Sequence, residues 1–269
     1  MDTGPSHVAA DLMNYMGCVV GNMGNHDVET GHAVYDRWIK QCDFPVLGAN
    51  IIDNATGKPY LKSYEVLERD GVRIAVLGMI TPAIPSWLPE KLWSGLHFEE
   101  MEPCARKWVK IIKEKEHPDV IVGLFHAGNA GNVLGQVVHD ASMYVAIRVP
   151  GFDVVLMGHD HTRECVKVQN VAGDSVLVID PANNANVVSD VTLTVTKKDG
   201  KVVAKSVEGR LADMNKYPVS QEFMDKFAPQ YKAVNDFVSR KIGTISRTIT
   251  AKDAYFGSSP FIDLIHQLQ

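Results

Sequence analysis

Three short polar segments concentrate the residue types used by hydrolytic metal centres. They are Gly24-Asn25-His26-Asp27, His126 with Ala127-Gly128-Asn129 behind it, and Gly158-His159-Asp160-His161. His159 and His161 stand two positions apart, so one loop can turn both rings toward one cavity and offer nitrogens to two different cations. His126 adds a third imidazole and Asn25 an amide oxygen. Mixed nitrogen and oxygen donors suit hydrolytic Zn, Mn, Fe or Mg sites, whereas structural zinc prefers thiolates. Gly24 and Gly158 are expected to let the backbone approach such a site closely. His7, His32, His97, His117, His139 and His266 lack this context and read as solvated or helix-face residues.

Each segment follows a strand-like run. Cys18-Val19-Val20 precedes the first, Val120 to Phe125 the second and Val154 to Met157 the third. Val72 to Leu77 reads as a buried strand, joined through an Asp70-Gly71 turn to Tyr64–Leu67 as a hairpin. Glu99 to Glu116 has helical spacing, as do Val8 to Met16 and residues about 131 to 147. Strands alternating with helices imply an α/β core, in which ligands gather at the carboxyl ends of the strands. Beyond residue 163 the pattern turns to strands at Val166–Gln169, Val176–Ile179, Val187–Thr196 and Val202–Val207, expected as an antiparallel meander. Gln221 to Lys241 returns to helical spacing, with Pro229 expected to split it in two. Thr244 to Gln269 ends in an apolar helix-like stretch.

Composition excludes several classes. The 269 residues give ample core, and 45% hydrophobic with 22% charged residues exclude long disorder and coiled coil. The net charge of −5 argues against a nucleic-acid duplex partner. No apolar run is long enough for a membrane span. Cys18, Cys42, Cys104 and Cys165 lack C-x-x-C spacing and read as plain thiols. Met1 to Pro5 has no signal-peptide character.

Taken together, the segments resemble the calcineurin-like metallophosphoesterase superfamily. The resemblance is carried by Gly24-Asn25-His26-Asp27, by Phe44 to Asn50, by Val76 to Pro82, by Asp119 to Gly128 and by Val149 to His161, in the family's order and spacing. Within that superfamily the text is similar to the bacterial 5′-nucleotidase and 2′,3′-cyclic-nucleotide 2′-phosphodiesterase/3′-nucleotidase branch. The stretch Phe256 to Gln267 resembles the entry into that branch's C-terminal substrate domain.

The resemblance implies a β-sandwich flanked by helices, in α/β/β/α layers. It implies a metallophosphoesterase domain over 1–215, a linker helix over 216–245 and the start of a C-terminal domain over 246–269. It further implies that Asn25, His126 and His159 hold one metal and that His161 helps hold another. His26 would act beside the phosphate, oriented by Asp27 or Glu29. The reaction would be in-line attack on phosphorus by a metal-bound hydroxide, on a nucleotide or cyclic nucleotide. The implied location is the periplasm or cell envelope.

The family's Asp-x-His and Gly-Asp motifs, which supply the first metal's ligands and the bridging carboxylate, do not precede Gly24. Asp2 and Asp11 lack their context, so the chain reads as incomplete at the N-terminus. Three expectations follow: at most one well-held divalent ion, poor catalysis, and either self-association through the truncated sheet or marginal stability. The alternative to an enzyme is a non-catalytic remnant that binds metal or phosphate; a phosphoesterase of another substrate class ranks third.

Overall fold

The computed structural model describes residues 6–129, 131, 133–134, 137–252, 254–255 and 257–269. The chain forms two compact units, Met1–Pro218 and Val219–Gln269. In the first, helix α1 (Val8–Tyr15) precedes strand β1 (Gly21–Asn22), the short helix α2 (Asn25–Glu29) and α3 (His32–Gln41). Strands β2 (Val46–Leu47), β3 (Ile51–Asp53), β4 (Lys58–Pro59), β5 (Tyr64–Arg69) and β6 (Val72–Ile80) follow. Then come α4 (Ile84–Trp87), β7 (Leu96–Phe98), α5 (Met101–Glu116) and β8 (Val120–His126). A short pair, β9 (Val133–Leu134) and β10 (Val137–Val138), leads to α6 (Ser142–Arg148) and β11 (Val154–Met157). The unit closes with β12 (Arg163–Gln169), β13 (Ser175–Pro181), β14 (Val187–Lys198) and β15 (Lys201–Asp213). The second unit holds α7 (Gln221–Val238) and α8 (Pro260–Leu268).

The main sheet has six strands in the order β12-β13-β11-β8-β6-β5. Its centre is parallel: β8 pairs with β6 and β11, and β11 with β13. Parallel pairing brings the carboxyl ends of these four strands to one edge. Side-chain alternation along β6 then sets the layers. Ala75, Leu77 and Met79 face the helices, packing with Val109 and Ile112 of α5 and Ala146 of α6. Val76 faces the other way, into a cluster with Val122, Val154, Leu177 and Leu47, against which Val191 and Val207 of the β14–β15 hairpin pack. Tyr35 and Trp38 of α3 bury themselves against Val46 of β2 and Met23. The result is helices, main sheet, a second β-layer and helices, the α/β arrangement that the resemblance implies.

The second β-layer consists of separate two-stranded pairs, β1–β2 and β14–β15. Between them runs an open groove of about 560 Å³. Gly21, Asn22 and Val188 lie on its walls, with Leu124 and Leu156 of the main sheet beneath, and its lining reaches His126.

Four local expectations are corrected. The strand expected at Cys18-Val19-Val20 lies at Gly21–Asn22, where it meets Val46 and Leu47 in parallel. The helix expected over about 131–147 is confined to α6; β9 and β10 pair antiparallel before it, and Gly131 is left-handed at φ 64°. The meander is two hairpins: β12–β13 joins the main sheet through β13, and β14–β15 stands as its own pair. Finally, α7 runs unbroken through Pro229, although the ring forfeits one helical hydrogen bond there. Asp2 and Phe256 lie outside the described residues.

Candidate functional site

Gly24 ends the stretch after β1 and caps α2, so Asn25 opens the helix. A side chain at residue 24 would press on the His126 ring, whose atoms lie 3.1–3.2 Å from where a Cβ would stand. A Cβ there would require the ring to give by a few tenths of an ångström, so glycine suits the close approach. Gly158 is different: nothing lies within 4 Å of a Cβ there, so the close approach expected at that position is absent.

The two carboxylates of α2 divide their tasks. Asp27 Oδ2 accepts the Gly24 N–H at 2.8 Å and so satisfies a free donor at the helix start. Burial pushes its carboxyl up, against the opposing pull of that N–H. Glu29 Oε2 stands 2.7 Å from His26 Nδ1, on the solvent side of the helix. Of the two partners considered for His26, Glu29 is the one in contact.

The carboxyl ends of β8 and β11 bring His126 and His159 to Asn25. Asn25 Oδ1 lies 2.8 Å from His126 Nε2 and 3.2 Å from His159 Nδ1. The two rings meet edge to face, centroids 5.2 Å apart. Burial pushes the His126 imidazole down to about 4, helped by the neighbouring His159, His26 and His161. Burial likewise lowers His159, although Asp140 and Asp160 oppose it. Both rings are thus kept neutral, the form that can ligate a metal. His161 is exposed and turned to Asn183, its Nδ1 3.3 Å from that amide.

Asn25 Oδ1 stands 2.8 and 3.2 Å from the two ring nitrogens, near the roughly 3.0–3.4 Å that separates adjacent ligands on a cation with bonds of about 2.1 Å. The donors are two imidazoles and an amide. Among the described residues no three His, Cys, Asp or Glu side chains form a metal-holding group.

Two residues that sequence reasoning missed support this cluster. Asp140 Oδ1 lies 3.8 Å from His159 Nε2 and accepts the Gly128 N–H at 3.1 Å. At that distance the carboxylate acts on the imidazole through charge, opposing the lowering that burial imposes. Trp87, at the end of α4, stacks on His159 at 5.2 Å and 28°. No spacing signal joins either residue to the histidines; only folding brings α4 and the segment before α6 to them.

No protein-family model matches the chain. It is 26% identical to a 2′,3′-cyclic-nucleotide 2′-phosphodiesterase/3′-nucleotidase of Haemophilus influenzae, over 99% of this chain and 44% of the relative. A 5′-nucleotidase of Vibrio cholerae is 28% identical over 55% of this chain and 27% of its own length. The chain thus spans less than half the length of either relative. Among solved structures, the calcineurin-like phosphoesterase YfkN from Bacillus subtilis superimposes with a TM-score of 0.76 at 20% identity, over 88% of this chain and 76% of that one. A 5′-nucleotidase from Thermus thermophilus gives 0.70 at 21% identity, over 91% of this chain and 49% of that one.

Proposed function

We propose that this chain, which belongs to the calcineurin-like metallophosphoesterase superfamily in its nucleotidase and cyclic-nucleotide phosphodiesterase branch, serves the metal-dependent hydrolysis of nucleotide phosphoesters. The reaction is of the 5′-nucleotidase or 2′,3′-cyclic-nucleotide 2′-phosphodiesterase/3′-nucleotidase type. The observation that carries this reading is the meeting of Asn25 with His126 and His159 at 2.8 and 3.2 Å. Those three residues hold one divalent cation, Mn, Zn, Mg or Fe, and His161 contributes to a second. A divalent cation there supplies charge neutralisation on the phosphoryl oxygens and a lowered pKa for bound water. Glu29 fixes the His26 ring through Nδ1, leaving Nε2 to donate a proton to the departing oxygen.

The converging donors are uncharged, and this favours a second reading: a module that binds metal or phosphate without turnover. Two cations at about 3.5–4 Å repel strongly unless an anion lies between them. Slow hydrolysis is therefore expected of the isolated chain. Turnover of bis(p-nitrophenyl) phosphate and 2′,3′-cyclic AMP with Mn²⁺ separates the readings. Slow, Mn²⁺-dependent turnover that His126→Ala abolishes supports the enzyme. Absent turnover supports the binding module, and metal-independent turnover contradicts both readings.

The branch resemblance supports a periplasmic or cell-envelope location; among the described residues no helix is long and apolar enough to cross a membrane. The groove between β1 and β14 supports self-association of this chain.

A further inference from the structure

Strand β6 ends at Ile80, level with His126 on the neighbouring β8. The next residue, Thr81, donates its N–H to His126 O at 2.9 Å. Thr81 and Ile84 are fully buried, so the start of α4 is tied to the core beside the cluster. Pro85 sits in the first turn of α4, where its missing N–H costs nothing. The helix closes through the Ser86 N–H to Ala83 O and the Leu88 N–H to Ile84 O, both at 2.9 Å. Leu88 O in turn accepts the Trp93 indole N–H at 3.0 Å. The backbone on both sides of Trp87 is therefore fixed.

Of the four tryptophans, Trp38 is buried and Trp93 and Trp108 are half-buried, whereas Trp87 is 39% exposed. Its ring is held by two imidazoles: His159 stacks on it at 5.2 Å and 28°, and His139 meets it edge to face at 5.5 Å and 89°. An indole left this open forgoes part of the burial that normally stabilises it. Because the ring is already oriented, a ligand that covers it loses little of its binding energy to ordering the side chain. The same His159 ring that rests on Trp87 places its Nδ1 3.2 Å from Asn25 Oδ1. The open aromatic surface and the converging donors thus share one imidazole as their common wall.

We propose that Trp87 is a stacking platform for the base of the substrate: the phosphate lies at Asn25, His126 and His159, and the base covers the open part of the indole. The ligand class is a planar heteroaromatic ring joined through a sugar to a phosphate. Trp87 touches the substrate and sets its affinity, and it takes no part in proton or phosphoryl transfer. Every base offers a π-face, so stacking favours nucleotides over phosphoesters without a ring and does not choose strongly among bases. The proposal rests on the nucleotide reading above and assigns the residue that recognises the base.

The test titrates the full chain, with Zn²⁺ present, with AMP, with ribose 5-phosphate and with adenosine, read by calorimetry and by tryptophan emission. Wild type is expected to bind AMP at least about fivefold more tightly than ribose 5-phosphate, the low end of what one stacked base contributes. AMP and adenosine are expected to quench the emission, and ribose 5-phosphate to leave it unchanged. Trp87→Phe keeps a ring, so it should retain the preference for AMP and lose the quench. Trp87→Leu should bind AMP as weakly as ribose 5-phosphate, whose own affinity stays at the wild-type value. A wild type without the preference, or a Leu variant that keeps it, overturns the proposal. Equal weakening of both phosphates in the Leu variant also overturns it, since Trp87 would then act only as a wall for His159. If the Leu variant does not fold, the Phe variant decides: a quench by adenosine that survives there contradicts the assignment. Failure of wild type to bind either phosphate counts against the phosphoester reading, while the adenosine quench still judges Trp87.

Discussion

The division between Asp27 and Glu29 shows how neighbouring carboxylates on one short helix acquire different work. Asp27 is turned back onto Gly24 N–H and half-buried, whereas Glu29 is exposed beside His26. Asp27→Ala is therefore expected to destabilise the fold by about 0.5–2 kcal/mol, the usual cost of a lost cap. Glu29→Ala should stay within about 0.5 kcal/mol of wild type, as exposed pairs contribute little. Urea melts of both variants check this. His126 gives a pH signature in metal-free buffer. Unfolded, it takes up a proton near pH 6.5; folded, it refuses one until about 4. Its contribution is present above pH 6.5 and is lost as pH falls toward 4, on the order of 3 kcal/mol in all. The difference between wild type and His126→Gln, followed by urea melts from pH 7 to 4.5, isolates that term. At this scale the histidines and Asn25 were legible because each follows a strand. Asp140 and Trp87 were not, because their proximity to the site is created only by tertiary packing.

At the scale of elements, the strands that form the parallel centre were readable as apolar runs, and the Asp70-Gly71 turn was readable as a hairpin. Asp70 and Gly71 indeed sit at φ 51° and 74°, the pair of positive values a two-residue hairpin turn demands. The second β-layer was harder to read. β1 and β2 are two residues each, too short to show a period, and exist because the main sheet beneath offers a surface to pack on. Gly78 of β6 marks that contact: a Cβ there would overlap Leu47 and the Asn22 side chain. Gly78→Ala is expected to destabilise by about 1–3 kcal/mol or more through overpacking. It should also loosen β1, which delivers Asn25. A thermal melt together with hydrogen exchange at Asn22 and Met23 measures both effects. The stretch over about 131–147 misled as a helix because its apolar spacing ignores Gly131, which turns left-handed.

For the whole molecule, layer order followed from strand–helix alternation together with the resemblance. The groove through the second layer is the feature with consequences in solution. Val19, just before β1, and Val188, within β14, are exposed, and the outer edges of these strands have no partner among the described residues, an arrangement that invites edge-to-edge pairing. A net charge of −5 is too small to prevent it. Light scattering is expected to show concentration-dependent self-association, reduced by Val188→Lys; a monodisperse monomer at all concentrations would speak against it. The central claim is that β1, β8 and β11 carry Asn25, His126 and His159 to a single cation. Calorimetric titration of the intact chain with Mn²⁺ or Zn²⁺ at pH 7.5, beside Asn25→Ala and His126→Ala, tests it most directly. One site per chain is predicted, weakened at least about tenfold in Asn25→Ala and lost in His126→Ala. No binding by wild type, or binding that both variants retain unchanged, would contradict it.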